Sequence, residues 1–349
     1  MRDLVVAGGG PVGLATALHA TRAGLDVVVY EPRAGVIDKA CGEGLMPGAL
    51  ASLTALGVTP AGQPLRGIRY RSANAHAEAD FRHGTGLGVR RTTLHDALRE
   101  RIDHAGVPVV SERVEQVVNR DREVLVNGTP TRYLVAADGL HSPTRRLLGL
   151  EVRTRGARRF GLRRHVEIPA WTDYVEVHWS PTAEAYITPV AEGLIGIAVL
   201  TRRRGSFDEH LRTFPWLEAR LAGTASGPVL GAGPLRQRSR RRVCGRVLLV
   251  GDASGYVDAL TGEGIALGLA QAEAAAAAVV GDDPARYERT WRLLTWRYEA
   301  VTRALLAASA VPATRAALVP LAASLPQVFA AAVNEVARPM TPRLTRLSP

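Results

Sequence analysis

The sequence predicts an α/β fold, α+β overall. A parallel sheet wound with helices is interrupted by a second, mostly antiparallel sheet and followed by further helices. Three observations predict it. Continuous apolar runs at Leu4-Val5-Val6-Ala7, Tyr133-Leu134-Val135-Ala136-Ala137 and Val247-Leu248-Leu249-Val250 suit parallel strands covered on both faces. Alternating stretches at Tyr174–Trp179, Ala185–Thr188 and Leu194–Val199, lying between the last two runs, suit an antiparallel sheet. From Gly264 the pattern is helical to near the end, broken at Pro312, Pro320 and Pro326. The implied organisation is a discontinuous first domain of residues 1–150 and 243–300, a sheet domain of 151–242, and a C-terminal helical segment of 301–349.

The first run leads into Gly8-Gly9-Gly10-Pro11-Val12-Gly13, a G-x-G-x-x-G pattern between a strand and a helix. Gly8 permits the tight turn, Gly10 lets the backbone approach a pyrophosphate, and Gly13 lets the helix pack close to the strand. The helix reads from Pro11 to about Ala23, with Pro11 in the first turn where its missing N–H costs little. Its free N–H groups can hold phosphate oxygens. A second strand, Asp26–Tyr30, ends at Glu31, 18 residues after Gly13, where a carboxylate accepts hydrogen bonds from ribose hydroxyls and repels a 2′-phosphate. This Rossmann-like unit therefore reads as a site for the adenosine half of FAD or NAD rather than NADP.

A glycine-rich loop, Ala40-Cys41-Gly42-Glu43-Gly44-Leu45-Met46-Pro47, precedes a short helix over about Gly48–Leu56. A helix starting at Arg90-Arg91 runs to about His104. Val107–Val110, with its proline, reads as an edge strand or a strand start. Val114–Val118 and Glu123–Val126 are the arms of a hairpin, and Asn127-Gly128 is a further turn. The runs Tyr133–Ala137 and Val247–Val250 end in Asp138-Gly139 and Gly251-Asp252.

Composition narrows the possibilities. The chain has 349 residues, 46% of them hydrophobic, a net charge of +11 and a pI near 10.5. All but one of the 44 basic residues are arginine, the exception being Lys39, and they are scattered apart from Arg236, Arg238, Arg240, Arg241 and Arg242. No nucleic-acid fold signature accompanies them, so no nucleic acid is expected as a partner; the basic residues read as a solvated face or a patch for an anionic substrate or NADPH phosphate. The two cysteines, Cys41 and Cys244, have neither disulfide nor metal-ligand spacing. The chain runs directly into a strand and has no apolar stretch long enough to span a bilayer, which points to the cytoplasm and leaves peripheral membrane contact open.

Three motifs now stand in order: Gly8–Gly13 with Glu31, then Asp138-Gly139-Leu140-His141-Ser142-Pro143-Thr144-Arg145, then Gly251-Asp252-Ala253-Ser254-Gly255. On these the chain resembles the FAD-dependent p-hydroxybenzoate hydroxylase-like superfamily, which includes aromatic-ring monooxygenases and geranylgeranyl reductases. The resemblance covers nearly the whole chain and implies FAD as cofactor. It implies that Asp252 binds the ribityl hydroxyls, that Asp138 and Gly139 help hold FAD and NAD(P)H, that Arg91 contacts the cofactor, that the Val114 backbone meets the adenine, and that Arg33 flanks the adenosine or phosphates. Gly262, Gly264 and Ile265 would open a helix whose N-terminus faces the flavin pyrimidine ring, where free N–H groups stabilise developing negative charge. Thr261-Gly262-Glu263-Gly264-Ile265 together with Cys41-Gly42-Glu43-Gly44 looks more like the reductase branch. The proline that branch carries near Asp258 or Ala259, and the Pro-x-x-Gly of the hydroxylases, are both missing. The Trp-x-Trp-x-Ile-Pro signature of flavin halogenases is absent, and Lys39 sits in the wrong segment for their lysine.

The expected activity is an NADH- or NADPH-using FAD monooxygenase, delivering oxygen from O₂ through a flavin C4a-hydroperoxide to a small hydrophobic, secondary metabolite. The alternative is a geranylgeranyl-reductase-like enzyme saturating isoprenoid double bonds, and a third reading is a non-catalytic flavin-binding protein. Oxygen transfer of this kind needs no catalytic side chain, and neither a triad nor a metal site is visible. His165 and Tyr186 are candidate catalytic residues on pocket-lining strands, with His178 and Trp179 behind them. Tyr186-Ile187-Thr188-Pro189 incompletely matches the reductases' Tyr-x-Trp-x-Phe-Pro. Cys41 reads first as a small loop residue near the flavin and second as a redox or covalent-flavin residue; Cys244 reads as packing. A long apolar channel would point to a prenyl chain, a compact polar-ended pocket to an aromatic metabolite.

Overall fold

The computed structural model describes residues 1–154 and 158–340. Its helices are α1 (Pro11–Arg22), α2 (Pro47–Ala55), α3 (Arg91–His104), α4 (Pro143–Leu147), α5 (Phe207–Leu211), α6 (Pro215–Leu221), α7 (Gly264–Val280), α8 (Pro284–Ala310), α9 (Pro312–Ser324) and α10 (Pro326–Ala337). Prolines open α1, α2, α4, α6, α8, α9 and α10, where a first-turn N–H has no intrahelical partner to lose. Two of these prolines, Pro312 and Pro326, make the expected breaks. Pro320 does not: it lies inside α9, and both it and Ala316, whose carbonyl it leaves free, are exposed, so water takes the missing bond. Residues 341–349 of the expected C-terminal segment lie outside the described residues.

The first sheet runs in the order Val243–Cys244, Val247–Leu249, Thr129–Ala136, Arg2–Ala7, Val27–Tyr30, Val109–Val110. The pairs from Val247–Leu249 to Val109–Val110 are all parallel, and Val109–Val110 is an edge. The hairpin Val117–Asn119/Val124–Val126 hangs antiparallel on Thr129–Ala136. Leu4, Val6, Val135 and Leu248 meet α1, α3 and α7 on one side in the largest apolar cluster. Alanine-rich α7 packs against α1 there, its small side chains allowing close approach.

The second sheet runs Leu230–Ala232, Phe160–Glu167, Leu194–Thr201, Ala183–Ala191, Tyr174–Trp179, Gly67–Arg71, His76–Asp80. It is antiparallel except where Tyr174–Trp179 pairs with Gly67–Arg71. Residues 151–242 therefore do not make this sheet alone, as the sequence division implies. Gly67–Arg71 and His76–Asp80, from the first segment, complete it by extending beside an otherwise unpaired strand edge.

A buried ionic network joins this sheet to the C-terminal helices. Arg159 donates to Asp258 (3.0 Å) and Glu184 (2.8 Å), and Arg315 of α9 lies 2.6 Å from the other Glu184 oxygen. Arg315 also donates to the carbonyls of Ser180 and Ala183 at 2.6 and 2.7 Å. Two guanidiniums face two carboxylates, so the buried charge balances. Arg315→Leu leaves Glu184 and two carbonyls short of partners; it is expected to lower stability by about 3–5 kcal/mol, read from the shift in denaturant midpoint.

Candidate functional site

Parallel register decides which residues meet. Ala7 pairs with both Tyr30 and Ala136, and Ala136 with Leu249. The next residues along these strands, Gly8, Glu31, Ala137-Asp138 and Val250-Gly251-Asp252, therefore emerge together at one edge of the sheet. Gly8 has φ +106°, and a Cβ there would lie 2.6 Å from the Ala137 carbonyl oxygen. At Gly13 a Cβ would come within 1.9 Å of the Gly8 oxygen, so only glycine lets α1 sit this close to the turn.

These ends open into one cavity of about 1220 Å³, above the 300–1,000 Å³ usual for a small-molecule site. One arm is polar. Gly8, Gly10, Pro11 and Val12 line its α1 side, with Glu31, Arg33 and Val114 nearby. Arg91, Asp138, Gly139, Gly251 and Asp252 form the next stretch. The loop residues Cys41, Gly42 and Gly44 and the turn Gly262, Gly264, Ile265 close the far side. Of the expected cofactor residues only Gly13 stays behind the wall. The N-termini of α1 and α7 both reach this arm, and neither has a side-chain cap, so their free N–H groups point positive charge at it.

Glu31 is buried; it accepts from the Gly9 N–H at 2.8 Å and from the Arg33 side chain at 2.7 and 2.8 Å. Burial raises its pKa, but those hydrogen bonds outweigh burial and hold it below the ordinary value. Asp252 has charged neighbours, Lys39 and Arg145 foremost, but burial dominates and pushes its pKa up. Lys39, which the sequence reading set aside, lines the same arm, its ammonium 3.0 Å from where a Gly139 Cβ would be. Burial, then Arg33, lowers its pKa.

Two further residues hold the arm in shape. His95 of α3 is buried, 2.9 Å from the Gly9 carbonyl through Nε2, and its Nδ1 accepts from the Ile37 N–H at 3.4 Å. That assigns the neutral tautomer with the proton on Nε2, in line with a pKa lowered by burial. Glu43 sits at φ +60°, a conformation side chains resist, and is held there by the Arg91 N–H (2.9 Å) and His165 Nε2 (2.7 Å). The sequence marks Glu43 as part of a glycine-rich loop but carries no signal for His95 beyond an apolar-face position in α3.

His165 does not reach the cavity. It lies between Glu43 and Arg163, whose Nη1 is 3.0 Å from its Nδ1, and Arg163 also pairs with Asp38. Tyr186 does line the cavity, and its hydroxyl donates to the Leu260 carbonyl at 2.8 Å, tying the second sheet to the turn before α7. His178 instead bonds Glu176 at 3.1 Å and stacks on Trp216, and Trp179 packs in the apolar cluster beneath α9 and α10. Cys41 lines the cavity, but burial raises its thiol pKa, the opposite of an activated nucleophile.

The second arm is apolar. Met46, Leu65, Ile68, Tyr70 and Phe81 contribute from the first segment, and Val175, Val177, Ala198 and Leu200 from the second sheet. α8 adds Val301, Ala304, Leu305 and Ala308, and α10 adds Phe329, Ala332, Val333 and Val336. Each set is spaced i, i+3, i+4, i+7, one stripe of a helix. Ala304 and Ala332 are exposed and Val301 is 36% exposed, so this arm reaches the surface between the two helices, which Arg297 and Glu335 join at 2.8 Å. Among the described residues no group of His, Cys, Asp and Glu is placed to hold a metal.

A family model described as FAD binding domain matches residues 1–222. A menaquinone reductase of Mycobacterium tuberculosis is 30% identical over 327 residues, covering 81% of this chain and 78% of that protein. A digeranylgeranylglycerophospholipid reductase of Methanothermobacter thermautotrophicus is 29% identical over 332 residues, covering 83% and 82%. Among solved structures, p-nitrophenol 4-monooxygenase of Pseudomonas putida superposes with a TM-score of 0.77 at 20% identity, over 96% of this chain and 98% of that one, a likeness of fold.

Glu263, the residue before α7, is buried, and its pKa is raised by that burial to about 8, so it is neutral at pH 7 and does not offset the positive end of α7. The unfolded chain ionises this group near 4.5, so its favourable contribution is full below that pH and is lost as pH rises towards about 8. Glu263→Gln keeps the neutral group throughout. Its stability advantage over the unsubstituted protein is expected to be near zero at pH 4.5 and to grow to a few kcal/mol by pH 8, measured as denaturant midpoints across that range.

Proposed function

The chain belongs to the p-hydroxybenzoate hydroxylase-like family of FAD-binding flavoproteins, and from that premise we propose that it is a flavin-dependent reductase saturating double bonds of an isoprenoid chain. The observation that carries this reading is the apolar arm, a channel open between α8 and α10 and continuous with the polar arm. A compact polar-ended pocket, as an aromatic substrate asks for, is not what the walls form. The reductase relatives support the same choice, so of the two chemistries the sequence leaves standing, we favour the second over oxygen transfer.

The polar arm fits FAD on its own evidence. The Asp138 Oδ1 and Arg91 Nη1 atoms are buried there without a partner among the described residues. Asp252 lines the same arm and offers acceptors for ribityl hydroxyls, and Glu31 those for the adenosine ribose. The N–H groups at the start of α1 would take the pyrophosphate, and those at the start of α7 the pyrimidine edge of the flavin. Bound FAD supplies two-electron redox chemistry, with NADH or NADPH as its electron source.

The protein's own residues position and shield. Tyr186, fixed by Leu260, and Met46 hold the wall where the arms join. Aliphatic and aromatic walls strip water from a bound chain, which lowers the cost of holding an apolar double bond against the cofactor. The loop Cys41–Gly44 is held from behind by the contact of its one buried residue, Glu43, with His165 rather than by the substrate.

Asp252→Ala and Glu31→Ala are each expected to weaken FAD binding about 10–100-fold, measured as flavin-to-protein ratio after dialysis; full retention in both would sink the cofactor assignment. For the reaction, FAD-loaded protein is reduced chemically without oxygen and given a geranylgeranyl compound. A product heavier by two hydrogens per saturated bond is expected. No mass gain without oxygen, with an added oxygen atom in air, replaces this reading with monooxygenation.

A further inference from the structure

We propose that the exposed face of α8, with the channel mouth beside it, docks on an anionic lipid bilayer. On that face Leu293 is 72% exposed and Trp296 56%, with Arg289, Arg292 and Ala300 at the neighbouring helical positions and Arg303 one turn on. Single exposed apolar residues are ordinary, but these two sit one turn apart on the helix whose next turns, at Val301 and Ala304, form the mouth of the apolar arm. Across the mouth Val328, at the start of α10, is 62% exposed, and Leu321 and Leu325 at the end of α9 are 56% and 46% exposed. The exposed apolar residues thus lie on the two helices that form the opening and on the end of α9 that leads into the second of them.

Charge selects the partner. α8 carries five arginines against two glutamates. Arg289, Arg292, Arg297 and Arg303 have acidic neighbours in Asp283, Glu288, Glu335 and Glu299, all on half-exposed or exposed arginines where such pairs are weak. Beside the helix the exposed turn Arg202-Arg203-Arg204 lies against α8 through Arg202, whose Nη2 is 3.5 Å from the Leu306 carbonyl. The Arg297 guanidinium lies 5.1 Å over the Trp296 ring. An indole that sits at the headgroup level, leucine below it and arginines that reach up to phosphates is the chemistry of an interfacial helix on a bilayer. No single helix among the described residues is long and apolar enough to cross a membrane; α8 and α9 meet that length only together and are bent by 119° at their junction, so the surface lies on the bilayer.

This goes beyond the reductase reading and shares with it only the channel, since an isoprenoid chain held in a bilayer would enter from that side. The test needs no turnover. FAD-loaded protein is floated with vesicles of phosphatidylcholine alone or mixed with phosphatidylglycerol, at low and high salt. The protein is expected to float with the mixed vesicles, less at high salt, and Leu293→Ser with Trp296→Ser to lower that partition about tenfold at unchanged flavin content and unfolding midpoint. Arg202→Gln with Arg203→Gln and Arg204→Gln is expected to remove most of the preference for phosphatidylglycerol. Protein that stays at the bottom with mixed vesicles, or a serine variant that floats equally well, overturns the proposal. So does a dimer in solution that the serine substitutions convert to monomer, because a second copy then covers this face.

Discussion

The register of the parallel sheet is the constraint on which the rest depends. With Ala7 opposite Tyr30 and Ala136, and Ala136 opposite Leu249, four strands from distant parts of the chain end at the same level. Strand ends in a parallel sheet present unpaired backbone groups and the first free side chains at one edge, so a ligand site forms there by geometry. A shift by one residue in any pair would carry Glu31, Asp138 or Asp252 to the other face of the sheet. The paired strands hold that register because both faces are covered and their residues are nearly all apolar.

The apolar arm depends on a different set of forces. The second sheet would present an open edge if Gly67–Arg71 did not pair along it, and the helices are seated on it by Arg315 from α9 and by Asn334 from α10. Arg159 and Glu184 extend that seat to Asp258, and Tyr298 and Tyr186 bond the Asp258 and Leu260 carbonyls at 2.7 and 2.8 Å. The segment leading to the start of α7 is therefore held from the sheet on one side and from α8 on the other. Burying two charge pairs is costly unless opposite charges stay in contact, which ties the position of α9 to that of the segment before α7.

How much of the site could be read in advance follows the range of the interactions involved. Gly8 and Gly10 were legible because a tight turn from strand to helix needs small residues at adjacent positions, and Glu31 because it ends the next apolar run, both local requirements. Asp138 and Asp252 were legible because each follows an apolar run. Lys39 was not: its neighbours in the cavity, Gly139 and Asp252, are far along the chain, and nothing around it in the sequence marks an inward lysine. His165 sits in a strand that alternates as expected, but which face meets the cavity depends on Glu43 and Arg163, one of them from another segment. Pro320 shows the reverse error, a strong local signal overruled because its side of the helix is wet.

By itself the sequence determined the class of fold and the cofactor family, and it marked the glycines and carboxylates that meet at the strand ends, since each rests on spacing along a few neighbouring residues. Only the tertiary structure decided that an apolar arm lies beyond the polar one. Its walls come from residues 46–81, from the second sheet, and from stripes on α8 and α10 that are ordinary amphipathic patterns until they face each other. Backbone-phosphate chemistry is written locally, whereas the volume and polarity of a cavity are properties of surfaces that meet only after folding.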